Sequence, residues 1–507
     1  MSLSRTDRAL AGWLWLSLGT GAQAVLTVLV LAVLARLLGP QDFGVVSAAL
    51  LVINFCLIFS QGLLGPALVQ HPAPGETHAR TAFTLSAAGG VVLLALLWLL
   101  APVVARALGS PSLMPVLRAL ACVQPIQALG VVSDAQLRRA LAFRELATIR
   151  VLSYAAGYGL VGIGVAVAGG GLWALVAAYA VQASVTTLLL FRRVPVRPGG
   201  AWGVDRRAAA ELLGFGGGFS LARIGNYAAV NGDNFVAVKW LGVQALGLYE
   251  RAYQLMAMPA TLLGQVLDDV LFPAMAQIQF DTGRLAVAYR RLVAGMAVMT
   301  LPLSAVAVAL APELIYAVLG PKWGDAALPF QVLAVGTLCR ASYKVSDSLT
   351  RAVGAVYQRA WRQWIYAALV IGGAVVGQRW GIAGIAAGVV VALLVNFVLM
   401  AQLSLRLVGL SWGDFGRAHL PGLRLVMVTA LPVWGTAALA RGVWAFGPWA
   451  VLAAALTAGV VAVGTALALA PEWCLGADGR WLAERVARFA LERLRRMHSA
   501  PREEPST

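Results

Sequence analysis

Charge is what this chain has least of. Only 12% of its 507 residues are Asp, Glu, Lys or Arg, about half the share in a soluble globular chain. With 60% hydrophobic residues and a mean hydropathy of +0.79, the chain cannot build an ordinary water-facing surface. Lysine is almost missing: Lys239, Lys322 and Lys344 stand against 36 arginines. None of the three follows a glycine, so there is no Walker phosphate loop and no ATP hydrolysis by this chain. The four cysteines, Cys56, Cys122, Cys339 and Cys474, share no CxxC spacing and argue against redox chemistry. Of the four histidines, His71 and His78 share a Pro-containing loop that reads as ordinary and solvated. No metal or other cofactor is expected. No GxSxG elbow or HExxH pair occurs, and no connection is long enough to carry a glycosyltransferase domain. The chain reads as a non-enzyme, and no basic stretch interleaved with stacking aromatics points to nucleic acid.

What is present is a series of long apolar runs. A membrane helix needs about 20 mostly apolar residues, and fourteen such runs fit between residues 10 and 469. The division between 363–378 and 380–403 is the least marked. Only helices or closed barrels satisfy the backbone in lipid, and runs this long predict helices. The first run lacks a small-residue cleavage site and is expected to stay as a span. The formal charge of +17 reports topology: with fourteen spans and the N-terminus inside, 28 basic residues fall on cytoplasmic segments and 7 on outer ones.

The chain also repeats itself. Arg36-Leu37-Leu38-Gly39-Pro40-Gln41-Asp42-Phe43-Gly44 aligns with Lys239-Trp240-Leu241-Gly242-Val243-Gln244-Ala245-Leu246-Gly247 at an offset of 203. Leu100-Ala101-Pro102 with Ala107 and Gly109 aligns with Leu310-Ala311-Pro312 with Ala317 and Gly320 at 210 to 211. Val132-Ser133-Asp134 with Arg138 aligns with Val345-Ser346-Asp347 with Arg351 at 213. Three collinear matches predict two six-helix lobes related by a parallel repeat. The boundaries read 1–191 for the first lobe, 192–211 for a cytoplasmic linker and 212–405 for the second lobe. Residues 406–470 form two extra helices, and 471–507 a cytoplasmic tail with an amphipathic pattern from Asp478 to His498.

Polar residues inside spans carry the functional signal, because each must face a cavity or a partner. Span seven places Arg223, Asn226, Asn231, Asp233 and Asn234 over roughly half of one helix. Span ten carries Arg340, Lys344, Asp347 and Arg351 at i, i+4, i+7 and i+11, within about 60°. Span eight carries Glu250, Gln254, Gln265 and Asp268, with Arg251 and Asp269 beside them. The first lobe contributes neutral groups: Gln23, Asn54, Gln61, Gln124 and Gln127. Arg223, Asn226, Asn231, Asn234, Arg340 and Lys344 are the candidate substrate-binding set. The guanidinium fork suits phosphate oxygens and the amides suit sugar hydroxyls. Asp233, Glu250, Asp268, Asp269 and Asp347 are candidates for coupling to H+ or Na+. The plainer alternative pairs these charges across helices, as Arg223 with Asp268 or Asp347 with Arg351.

Taken together, several segments resemble a known family. Ala35-Arg36-Leu37-Leu38-Gly39-Pro40-Gln41-Asp42-Phe43-Gly44 and Asn231-Gly232-Asp233-Asn234 followed by Leu241-Gly242 are two of them. Ala245-Leu246-Gly247-Leu248-Tyr249-Glu250-Arg251-Ala252-Tyr253, Leu271-Phe272-Pro273-Ala274 and Leu319-Gly320-Pro321-Lys322-Trp323 are the others. The set is similar to the Wzx-type polysaccharide transporters of the MOP exporter superfamily, in their colanic-acid-exporter, lipopolysaccharide-biosynthesis form. It covers most of residues 9–410. The resemblance implies an all-α polytopic protein of about 14 transmembrane helices. It also implies flipping of undecaprenyl-pyrophosphate-linked oligosaccharide across a bacterial inner membrane, with both termini cytoplasmic, for exopolysaccharide, capsule or O-antigen assembly. Expected partners are that lipid-linked oligosaccharide, membrane lipids, and the polymerase and glycosyltransferases of the same process. The family has no invariant catalytic motif to transfer. A lipid II flippase, a cation-coupled drug exporter and a non-transporting scaffold are the competing readings.

Overall fold

A computed structural model describes residue 21 and residues 23–480, apart from 61–63, 73, 196–202, 444–445 and 477. The predicted tail helix beyond residue 480 and the start of the first span lie outside these residues. Among the described residues all regular structure is helical. The helices are α1 (Gln23–Leu37), α2 (Pro40–Ser60), α3 (Leu64–Gln70), α4 (Glu76–Ala107), α5 (Leu113–Ala121) and α6 (Gln124–Arg139). Next come α7 (Phe143–Val167), α8 (Trp173–Arg193), α9 (Arg206–Val236), α10 (Gly242–Gln277), α11 (Thr282–Ala309) and α12 (Ala311–Val318). The series ends with α13 (Ala327–Val335), α14 (Thr337–Ala352), α15 (Val356–Gly377), α16 (Gly381–Val408), α17 (Trp412–Gly442) and α18 (Pro448–Leu469).

Among the described residues, eight segments are long and apolar enough to cross a membrane, or nine if the bent pair α5 and α6 is one span. One of the eight, Tyr357–Val408, is 52 residues long. It doubles back at Gly381, whose φ is +71°. A Cβ on Gly373 would lie 2.9 Å from the Gly388 carbonyl oxygen, and one on Gly384 would lie 2.1 Å from that of Gly377. In a straight helix residues 373 and 388 would be about 22 Å apart, so the sequence division into 363–378 and 380–403 marks a tight hairpin. Helices α9 and α10, of 31 and 36 residues, are also long enough to span. The multi-pass helical class is therefore established, while the count of fourteen remains a sequence expectation.

By packing, the chain divides into two units. The first comprises Met1–Met258, Leu314–Leu333 and Ala360–Asn396. Here the repeat motifs meet as reciprocal pairs. A Cβ on Gly44 would fall 1.7 Å from the Val243 carbonyl oxygen, and one on Gly247 would fall 2.0 Å from that of Pro40. Glycine at both positions lets the backbones of α2 and α10 touch, the small-residue contact that draws helices together where lipid offers no hydrophobic drive. Arg36 donates to the Ala317 carbonyl at 2.8 Å, and its repeat counterpart Lys239 donates to the Ala107 carbonyl. Gly109 and Gly320 both adopt positive φ, +64° and +98°, after the matched helices. Each donor in one copy finds the equivalent acceptor in the other, as a two-fold relation requires. Trp323 seals the same region, donating to the Ala35 carbonyl at 2.8 Å and standing edge-on to Phe43 at 5.3 Å.

The second unit comprises Pro259–Glu313, Ala334–Arg359 and Phe397–Thr507. Its core gathers Tyr289, Val293, Met296, Val345, Leu349, Leu405 and Phe415. Helix α17 lies against α11 so closely that a Cβ on Gly422 would sit 2.6 Å from the Ala297 backbone. Arg441 of α17 grips the buried Glu313 with both arms, at 2.8 and 2.6 Å. Pro421 and Pro432 lie inside α17, where a membrane helix tolerates the loss of a backbone donor.

Candidate functional site

A cavity of about 1030 Å³ opens within the first unit. Five helices wall it. Helix α2 supplies Asn54, α3 supplies Gln70, and α6 supplies Gln127, Asp134 and Arg138. Helix α8 contributes Tyr179, Gln182, Thr186 and Thr187, and α9 contributes Asn226, Tyr227 and Asn231. An apolar cluster of Leu64, Leu68, Phe83, Val132, Ala135 and Leu212 fixes α3, α4, α6 and α9 together. Thr187 ties α8 to α6 by donating to the Ile126 carbonyl at 3.0 Å. Tyr227 ties α9 to α2 by donating to the Leu51 carbonyl at 2.6 Å.

The wall is mixed, with Leu57, Ile58, Val69, Val131 and Leu190 set between its polar groups, and almost uncharged. Gln127 donates to the Tyr179 hydroxyl at 3.0 Å, and Asn231 donates to the Tyr227 carbonyl at 3.3 Å. Thr186 donates back to the Gln182 carbonyl at 2.7 Å. Among the described residues the side chains of Asn54, Gln182 and Asn226 hold no such bond, so each amide keeps two donors and an acceptor. One ion pair, Asp134 with Arg138 at 2.5 Å, stands at the α6 end. Such a surface offers many neutral hydrogen bonds and one charged pair, which suits a polyhydroxylated guest.

Two of the expected binding residues, Asn226 and Asn231, line this cavity. Arg223 lies on α9, with its side chain outside the described residues, as are those of Asp268 and Asp269 on α10. Asn234 does not line it: its backbone N–H donates to Asp233 Oδ1 at 2.9 Å. Asp233 is buried at 2% exposure and also accepts from the fully buried Tyr249 hydroxyl at 2.6 Å. Glu250 is paired with Arg251 at 3.2 Å, and Arg251 lies over the Phe43 ring. Arg340 and Lys344 are half-buried on α14, in the second unit. Asp347 on the same helix is a buried hub, paired with Arg351 at 3.2 Å and with Arg359.

The α6 wall and the α14 stripe are the same positions of the repeat. Gln127, Val131, Asp134 and Arg138 correspond at an offset of 213 to Arg340, Lys344, Asp347 and Arg351. The i,i+4 ion pair forms in both copies. Tyr179, Gln182 and Thr186 were not singled out in the sequence, although their i, i+3, i+7 spacing puts them on one helical face. Neutral residues raise less alarm in an apolar run than charges do.

A family profile described as "Polysaccharide biosynthesis protein" matches residues 33–328. The chain belongs to this family. It is 25% identical over 408 residues to the lipopolysaccharide biosynthesis protein WzxC of Escherichia coli (strain K12), covering 78% of this chain and 81% of that one. It is 26% identical over 426 residues to the succinoglycan biosynthesis transport protein ExoT of Rhizobium meliloti (strain 1021), covering 83% of each. Among solved structures it superposes on the lipid II flippase MurJ in an inward closed conformation with a TM-score of 0.72. The identity there is 12%, over 89% of this chain and 97% of that one. At that identity the likeness shows the fold: this is a multi-pass membrane protein with a transporter architecture.

Proposed function

We propose that this protein carries an undecaprenyl-pyrophosphate-linked oligosaccharide from the cytoplasmic to the periplasmic leaflet of a bacterial inner membrane, by alternating access. The observation that carries the reading is the nearly neutral cavity, whose α6 wall has a basic counterpart on α14. Amides and hydroxyls such as Asn54, Gln127, Gln182, Asn226 and Asn231 hydrogen-bond the sugar. Arg340 and Lys344, with Arg223, draw in the pyrophosphate, and Asn234 is the remaining amide proposed for the sugar. The family and the named relatives, all concerned with surface polysaccharide, support this substrate class.

In this reading the reciprocal contacts of Arg36, Lys239, Gly44 and Gly247 form the closed end. Both termini face the cytoplasm, as the positive-inside count suggests. Asp233, Glu250, Asp268, Asp269 and Asp347 are the acids proposed for H+ or Na+ coupling, and Asp233 is more deeply buried than Asp347, 2% against 5% exposed. Polymerase and glycosyltransferases are the partners that would consume and supply the substrate. Arg340→Glu in cells lacking the native copy should abolish polysaccharide export while the protein still reaches the membrane; unchanged export would overturn the assignment. The fold shared with a lipid II flippase supports a second reading, which rescue of cells depleted of that flippase would favour.

A further inference from the structure

Three side chains outside the cavity converge in a way the sequence does not suggest. His71 follows α3, His78 lies in the first turns of α4, and Glu211 lies 133 residues further on, in α9. Glu211 Oε2 is 2.9 Å from His78 Nε2 and 3.4 Å from His71 Nε2. The three donor atoms all lie within 4.8 Å of one another. The imidazole rings are 4.4 Å apart, centroid to centroid.

The arrangement is held from outside. Arg139 on α6 donates to the carbonyls of His71 and of Pro72, the latter at 2.9 Å, which fixes the backbone carrying the first imidazole. His78 and Glu211 sit on helices packed through Phe83 and Leu212.

We propose that His71, His78 and Glu211 bind one divalent transition-metal ion of the zinc class. A tetrahedral ion with bonds of about 2.0 to 2.1 Å has donor atoms about 3.3 Å apart, close to the two N–O separations. Two imidazoles and one carboxylate select zinc, copper or nickel over magnesium or calcium, which take oxygen donors. Three protein ligands leave a fourth position for water or an anionic oxygen. The ion ties His71, one residue from the cavity-lining Gln70, to the first turns of the helix beginning at Glu76 and to the head of α9. This inference does not depend on what the cavity carries.

The test is metal binding by the full chain in detergent, with any affinity tag removed and bound metal stripped by chelator. Titration with Co2+ should give saturable visible absorption at one ion per chain, displaced by Zn2+. Glu211→Gln, which keeps the size and one acceptor of the side chain, and the pair His71→Ala with His78→Ala should each lose that saturation. Their elution and melting in chelator should match the parent. Absence of a one-to-one Co2+ signal in the parent overturns the proposal, whatever the variants do. An equal signal in the parent and the double-histidine variant overturns it as well.

Discussion

The guanidinium of Arg36 donates to the carbonyl of Ala317 at 2.8 Å. Lys239 donates to Ala107 at the equivalent place in the other copy. Each exposed charged bond of this kind contributes about 1 kcal/mol, a factor of about five in an equilibrium. If these bonds hold one end of the transporter closed, Arg36→Ala should speed modification of a cysteine placed at Ala317 about fivefold. The Arg36→Ala, Lys239→Ala pair should speed it about twenty-five-fold. An unchanged rate in the double variant would remove the latch from the account.

Gly44 and Gly247 give a steric version of the same test. A Cβ on either meets a backbone carbonyl at 2.0 Å or less, and no rotamer relieves it. Gly44→Val and Gly247→Val should insert normally yet fail to close, with export lost and the Ala317 cysteine freely modified. Full export by either variant would show that α2 and α10 need not touch.

The cavity amides should act on affinity more than on stability. Replacing Asn231 or Gln182 by Leu removes about one sugar hydrogen bond each, about 1 kcal/mol. Uptake of a lipid-linked oligosaccharide should then show an apparent KM about fivefold higher, with melting temperature unchanged. A melting loss without a KM change would make these residues structural.

Asp347 separates pairing from coupling. Its carboxylate is buried and faces Arg351 and Arg359. Because both guanidinium groups are about a third exposed, Asp347→Asn should cost less than breaking a fully buried pair, about 2 kcal/mol. The expected result is a melting temperature lowered by several degrees in detergent. A stable Asp347→Asn protein that had lost only the pH dependence of transport would make Asp347 a proton carrier instead.

Much of this was legible in the sequence. The paucity of charge decided the membrane class, since an apolar surface has no other solvent. The repeat was legible because Gly44, Gly247, Gly109 and Gly320 answer to backbone geometry that no other residue meets cheaply. Asn226 and Asn231 stood out as amides inside an apolar run. What was not legible depends on helices meeting across long stretches of chain. Glu211 was an ordinary charge at a helix start until α9 packed beside α4, and His71 and His78 alone did not make a site. Tyr179, Gln182 and Thr186 are neutral, and only the cavity singles them out. The pairing of Asp347 with Arg351 had been one of two readings of that stripe; Arg359, twelve residues along, joins it only through the turn after α14.

The central claim is transport of a lipid-linked oligosaccharide through this chain. The most direct measurement places the purified protein in liposomes with a fluorescent undecaprenyl-pyrophosphate oligosaccharide in one leaflet and follows its protection from an external membrane-impermeant reagent. The account expects movement well above empty liposomes, lost in an Arg340→Glu, Lys344→Glu variant that reconstitutes equally well. Movement no faster than in empty liposomes, or equal in parent and variant, would contradict it.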